Sequence, residues 1–439
     1  EVVILPPPLE LILLNDYEPI TLLNLQTTLR RSNIPSPMPS LKISERVRDI
    51  ERCFSARTLW STTSKEKQMK KIAALAPIAI LLGLPASSIA MEVELYGLID
   101  TGFKYQNTDD FQTGKNASSF AMVSGERNGS RWGLRGNEAL NDEITLGFQL
   151  ESGYDSDTGA MKQNRLFGRQ SVLTLETKHY GIMKFGRTGS VNSPNGSFLS
   201  TAVIASPWGG GTAGGAHSAF FYTSWEDNVI EYKTPAFGGV ALIGHYSFEQ
   251  NGTESEKSSH NNRDAAVGVS FKTKSFEMRA AYERILTDTR LDFEDPETLT
   301  IAAQWLSGDW TVNFGAQYAK NVRQLGSGIV SQNVTLSKYA QSENLSAVTD
   351  LPNGLKGYGL VGGIQHQVGA FRLKAAAAMM NYKVDDTDAR LGSWQTTWGV
   401  EYTLSKTTGL YAAYTYAKGT HEADNYQQNE AIFGLRHWF

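Results

Sequence analysis

From residue 91 onward no apolar run approaches the roughly 20 residues that a membrane helix requires, yet the chain repeats short segments in which apolar and polar side chains alternate. They cover 92–105, 130–137, 143–153, 167–177, 181–187, 228–234, 240–248, 264–272, 276–285, 297–305, 310–320, 357–368, 371–383, 392–404, 409–418 and 429–439, sixteen in all. Period-two alternation marks a strand. Repeated in pieces of about ten residues, it describes a wall with lipid on one side and water on the other, a closed 16-stranded antiparallel transmembrane β-barrel of the all-β class. In the first segment Val93, Leu95, Gly97, Ile99, Thr101 and Phe103 share one face, while Glu94, Tyr96, Asp100 and Lys104 share the other.

The connections carry a second signal. Short ones at 138–142, 235–239, 307–309, 369–370 and 405–408 are rich in turn formers. Long polar ones lie between them at 106–129, 188–227, 249–263 and 321–356. Short turns at one rim and long loops at the other suit an outer-membrane barrel, whereas a soluble sandwich has no reason to segregate loop lengths. In the last segment Phe439, His437, Leu435, Phe433 and Ala431 fall on one face and Trp438, Arg436, Gly434 and Ile432 on the other. This segment is expected to pair with the first, because a barrel must leave no open edge.

Met69, Lys70 and Lys71, the apolar run 72–84 and the small residues Ser88 and Ala90 describe a secretory signal peptide over residues 69–90. Residues 1–68, which contain Pro6-Pro7-Pro8 and Pro35-Ser36-Pro37 and show no sustained period, read as disordered upstream sequence ahead of a start at Met69 or as a true extension. Residues 1–90 hold 11 of the 41 basic and 8 of the 45 acidic residues, leaving 30 basic and 37 acidic residues in the part that folds. An acidic chain without a basic tail argues against nucleic acid as a partner. The one cysteine, Cys53, lies in the excluded prefix, so the exported part offers no disulfide and no thiolate.

Five motifs then occur in order. They are Ser130-Arg131-Trp132-Gly133-Leu134-Arg135-Gly136-Asn137-Glu138, Gly147-Phe148-Gln149-Leu150-Glu151-Ser152-Gly153, Phe185-Gly186-Arg187, Tyr232-Lys233-Thr234-Pro235-Ala236-Phe237-Gly238-Gly239 and Gly434-Leu435-Arg436-His437-Trp438-Phe439. Over residues 91–439 the chain resembles the general trimeric porins of Gram-negative bacteria, in the branch typical of beta-proteobacteria. The resemblance implies an outer-membrane homotrimer whose third loop folds into the lumen as a constriction. It also implies contact with lipid and lipopolysaccharide, and barrel-assembly machinery acting on a terminal strand that presents Phe433, Leu435, His437 and Phe439.

A pore selects by its width and by the charges at its narrowest ring. By resemblance, Arg131 and Arg169 fall where the family carries basic constriction residues. Alternation puts Arg131 and Arg135 toward water, with Trp132 and Leu134 toward lipid. Arg169 shares parity with Leu173 and Leu175, and only a bulge would turn it inward. The family's third basic position, in the sixth strand, is held by Trp225, and Lys184 and Arg187 are candidate replacements of opposite parity. The inward-loop candidate, 188–225, contains no Asp, Glu, Lys or Arg, and His217 is its one group able to titrate near neutral pH. Arginines facing a neutral loop predict a weak anion preference.

Gly209, Gly210, Gly211, Gly214 and Gly215 lack the Lys-Ser or Lys-Thr of a phosphate loop and read as freedom for a backbone folding back inside the barrel. Acidic clusters at Asp109-Asp110 and around Asp385-Asp386-Asp388 read as solvated loop charge. No G-x-S-x-G, H-E-x-x-H or metal-spaced histidine set occurs, so no enzyme, cofactor or metal site is expected. The expected function is passive diffusion of small hydrophilic solutes and ions. The alternative is a structural or adhesive barrel acting through its long external loops.

Overall fold

The computed structural model describes residues 92–110, 115–210, 214–291, 293–323, 354–384, 388, 390–421 and 427–439. The expectations for residues 1–90, for Asp385-Asp386 and for most of the 321–356 connection lie outside these. Seventeen strands occur among the described residues: β1 (Glu92–Asp110), β2 (Lys115–Ser124), β3 (Arg131–Ala139), β4 (Ile144–Gly153), β5 (Gln170–Thr177), β6 (Gly181–Thr188), β7 (Glu226–Lys233), β8 (Val240–Ser247), β9 (Arg263–Lys272), β10 (Phe276–Leu286), β11 (Glu297–Ser307), β12 (Trp310–Val322), β13 (Leu355–Val368), β14 (Phe371–Val384), β15 (Arg390–Thr403), β16 (Thr408–His421) and β17 (Gln427–Trp438). Each pairs antiparallel with its sequence neighbours, except that β2 and β3 both pair with β1 on successive stretches. They are therefore one interrupted stave, and the barrel has sixteen.

Closure runs through β1 and β17, in register from Leu98 opposite Trp438 to Thr108 opposite Gln428. Two further backbone hydrogen bonds tie the last residue, Gly97 N–H to Phe439 O at 2.9 Å and Phe439 N–H to Gly97 O at 3.1 Å. The seam is thus a continuous backbone ladder, as lipid demands.

The exterior carries the apolar half of each alternation. Val93, Leu95, Ile99 and Phe103 of β1 and Phe433 and Leu435 of β17 are exposed, and the Phe103 ring stacks between Phe120 and Phe433 at 5.6 and 5.1 Å. Outward aromatics pair across strands, Trp398 with Tyr414 and Trp394 with Tyr416. Such exposure would be a liability in water and is the expected outer band of a membrane barrel.

One expectation is corrected. The long connection at 106–129 is instead a hairpin, since β1 runs to Asp110 and β2 returns from Lys115 to Ser124. Phe120 and Met122 of β2 face outward beside Phe103, but Ala121 and Val123 lie between them on the other face and the outer part of the hairpin is polar, so the apolar alternation is too short to read while the ladder hydrogen bonds continue. The stave breaks at 125–130, where Gly125 takes φ +75° and Asp100 gathers the chain inward. Its carboxylate accepts from Asn128 N–H at 2.7 Å and from the Tyr411 hydroxyl at 2.7 Å, and its backbone exchanges bonds with the Ser130 hydroxyl.

Candidate functional site

The segment 189–225 leaves β6, crosses the bore and returns at β7. Its departure is built on a β-bulge at Gly186, which has φ +120°, so the register shifts between Gly186 and Thr188. A short helix α1 (Thr201–Ala205) and a turn at Ala216–Ser218 carry its apolar side chains. Ala202, Ile204, Ala205, Ala216, Ala219 and Phe220 pack against Ala302, Val361 and Ala378 of the wall. Val191 and Leu199 pack against Ile243, Ala266 and Ala281. Trp208, fully buried, packs against Ala376, Tyr411, Ala413 and Ile432.

The wall makes room by being small where the loop presses. A methyl group added at Gly359 would lie 1.9 Å from the Ala219 carbonyl oxygen, and one added at Gly399 would lie 2.6 Å from the Trp208 ring. Polar contacts fix the rest. Asn313 donates to Ile204 O at 2.9 Å, Gln317 receives Phe221 N–H at 2.6 Å and donates to its carbonyl at 2.9 Å, and Arg279 donates to Leu199 O and Ser200 O at 2.5 and 2.8 Å.

From the Trp208 end of the loop onward, the wall from β14 through β17 and β1 to the start of β5 carries a cluster of cations, and Arg127 donates to Trp208 O at 3.2 Å. Glu401 lies among four cations: Arg127 at 2.5 Å, Lys374 at 2.6 Å, Arg436 at 2.9 Å and Arg372 at 3.8 Å. Glu151 holds Arg169 at 2.6 Å and Arg131 at 3.4 Å, and it also accepts from the Tyr96 hydroxyl at 2.9 Å. Cations therefore outnumber the carboxylates that organise them. Together with the neutral loop they enclose a cavity of about 620 Å³, lined by Arg127, Arg131, Arg169, Arg372 and Lys374 of the wall and its loops and by Pro194, Ser206, Trp208, His217, Tyr222 and Trp225 of the inward segment. With low-dielectric walls around it, such an arc focuses positive potential into the passage.

The predicted residues divide by position. Arg131 and Arg169 both line the cavity, and Arg169 turns inward because β5 starts only at Gln170, leaving it free of the outward parity of Leu173. Its guanidinium lies 5.2 Å from the centre of the Trp225 ring. His217 lies on the loop side, with Nδ1 2.6 Å from Gly210 O. Desolvation holds its imidazole below its ordinary pKa, so it is neutral at pH 7. Arg135 shares the inner face but sits apart from the cavity, exposed, paired with Glu94 at 2.7 Å and stacked on Tyr96.

Lys184 and Arg187 occupy other environments. Lys184 is buried at the root of the loop, donating to Gly196 O at 2.6 Å and pairing with Glu231 at 3.0 Å. Arg187 binds Asp227 at 2.6 Å beside Arg165 and Phe167, and Phe167 packs on the outward Trp132. The terminal strand presents Phe433, Leu435 and Phe439 outward, and His437 Nδ1 lies 2.9 Å from the Thr408 hydroxyl.

Sequence reasoning did not find Arg127, Arg372, Lys374 and Arg436, nor their partner Glu401. The parity of Arg372 and Lys374 places them on one face, but only the register of β14 on β15, with Lys374 opposite Gly399 and Arg372 opposite Glu401, brings them together. Arg127 enters from the stave break at 125–130, where no alternation exists to be read.

Comparison with known proteins agrees with this architecture. A family model described as Gram-negative porin matches residues 73–422. An outer membrane porin protein of Bordetella pertussis is 28% identical over 407 residues, spanning 84% of this chain and 100% of that protein. The major outer membrane protein P.IB of Neisseria sicca is 21% identical, spanning 82% of this chain and 98% of its own. Among solved structures, the anion-selective porin from Comamonas acidovorans superposes with a TM-score of 0.56 at 20% identity, covering 80% of this chain and all of that one. The trimer form of OmpT of Vibrio cholerae gives 0.52 at 16% identity, covering 80% and 100%. Barrel, inward loop and family match together place the chain in the outer membrane as a channel for passive diffusion: it belongs to the Gram-negative porins.

Proposed function

We propose that this porin passes small hydrophilic solutes and ions with a preference for anions. The observation that carries the reading is the arc of Arg127, Arg131, Arg169, Arg372 and Lys374 facing a loop with no ionised side chain. An anion in the cavity meets positive potential from one side and no opposing carboxylate from the other. That the Comamonas acidovorans neighbour is described as anion-selective supports the reading. Flux through such an open passage follows the solute gradient.

Purified protein in a planar bilayer under a KCl gradient tests this through the reversal potential, which should carry the sign of chloride permeation. Replacing Arg131 and Arg169 by Ala should move it toward cations, because Glu151 then stands without its guanidinium partners. A wild-type reversal potential of potassium sign overturns the proposal.

Three companion readings belong with it. A homotrimer is supported by the description of the OmpT neighbour as a trimer form. The exposed aromatic edge of β17 fits recognition by barrel-assembly machinery, and the apolar exterior fits contact with lipid and lipopolysaccharide. Residues 69–90 act as a cleaved signal peptide, with 1–68 preceding the native start, and mass measurement of outer-membrane protein beginning at Met91 would establish the cut.

A further inference from the structure

Beneath the root of the inward loop, four adjacent strands each place one ionisable residue on the inner wall at a constant spacing of 19: Glu226 on β7, His245 on β8, Asp264 on β9 and Glu283 on β10. The spacing is the period of the strand meander. It matches no metal motif, yet cross-strand pairing draws the four side chains into one cluster. Ligand atoms of Glu226, His245 and Asp264 all lie within 4.8 Å of one another, and all four residues are buried.

The immediate surroundings leave negative charge in excess. Lys184 is engaged by Glu231 at 3.0 Å, and the Arg165 and Arg187 guanidinia are engaged by Asp227. Three carboxylates therefore share one imidazole. Both Asp264 carboxylate oxygens and Oε1 of Glu283 have no hydrogen-bond partner among the described residues. Unpaired buried carboxylates cost several kcal/mol each, so the cluster calls for a bound cation or for shared protons to neutralise it.

We propose that Glu226, His245, Asp264 and Glu283 form a buried site for a divalent first-row metal of the zinc class. One imidazole with carboxylate oxygens is a donor set that such ions take, whereas calcium prefers oxygen alone. His245 Nε2 lies 2.9 Å from Glu226 Oε2 and faces the cluster, while Nδ1 lies 3.7 Å from Glu231 Oε1, just beyond hydrogen-bond reach, so a small closure on metal binding would let this carboxylate orient the imidazole. Glu231 is itself fixed by Ser197 and by Phe198 N–H. Because Asn192 of the loop donates to Glu283 at 2.9 Å, a metal here would tie four wall strands to the root of the constriction.

The full-length chain, folded into detergent with zinc chloride and then passed through EDTA-containing buffer, should retain about one zinc per chain by mass spectrometry. It should lose that zinc on Asp264→Asn. Folding with cobalt(II) instead should give the visible absorption bands of a low-symmetry nitrogen and oxygen site, absent after His245→Gln. The zinc-folded wild type should melt at a higher temperature than protein folded in EDTA, a comparison that needs no variant. A folded wild-type barrel that retains no zinc and melts at the same temperature with zinc and with EDTA overturns the proposal, and the carboxylates then share protons. Undiminished zinc retention in a folded Asp264→Asn barrel overturns it as well, by placing the metal elsewhere.

Discussion

Glu401 shows how one acid can gather several cations at one place on the wall of a passage. Its carboxylate holds Arg127, Lys374, Arg436 and Arg372 within 3.8 Å, concentrating cations that would otherwise repel one another. Glu401→Gln should strengthen anion selectivity, read as a larger chloride-signed reversal potential. It should also destabilise the barrel by about 3–5 kcal/mol, the usual cost of leaving buried charge without its partner. His217 predicts the opposite of a switch. Desolvation lowers its pKa, so it gains its proton only as pH falls below the ordinary histidine range near 6.5. Selectivity should therefore hold steady from about pH 8 to pH 6.5. A titration step in that window that vanishes in His217→Gln would show that the imidazole is solvated instead.

At the scale of elements, the inward loop is held by shape more than by charge. Phe220 is fully buried against Ala302, Val361 and Ala378, and Phe220→Ala should cost about 3–5 kcal/mol of loop docking. The barrel wall contributes through what it lacks. Gly359→Val puts side-chain atoms where the Ala219 carbonyl lies, so the loop must lift while the ladder of β13 survives. Single-channel conductance and the size limit for sugars in liposome swelling should both rise, with the folded barrel still visible by its β-sheet circular dichroism. Unchanged conductance in a folded Gly359→Val protein would mean that the loop does not set the narrowest width.

For the whole molecule, closure of β1 on β17 and the apolar exterior are one requirement, since a sheet in lipid can have neither an open edge nor a charged flank. Phe433→Arg, on the lipid face beside Phe103, should lower unfolding stability in lipid vesicles by up to about 2–4 kcal/mol, with the size of the loss reporting its depth. Seam and exterior alike are legible in the amino-acid sequence. Alternation along 92–105 and 429–439 predicts the seam, and the other fourteen segments each contain the core of an observed stave, because period-two burial is a local property written residue by residue. The pairing of the outer part of β1 with β2 escapes, since only Phe120 and Met122 carry the outward apolar face of β2 and Ala121 and Val123 between them blur the alternation. The constriction is half legible. Arg131 follows from parity within one strand, and the loop's neutrality is a matter of composition. Arg127, Lys374 and Arg436 meet around Glu401 only through the register of distant strands and a break in one stave, and the cluster of Glu226, His245, Asp264 and Glu283 likewise exists only because four strands lie side by side. Local alternation is enough to assign the wet face of each strand. Which wet residues become neighbours depends on shear and pairing around a closed wall, a property of the whole barrel that no single segment contains.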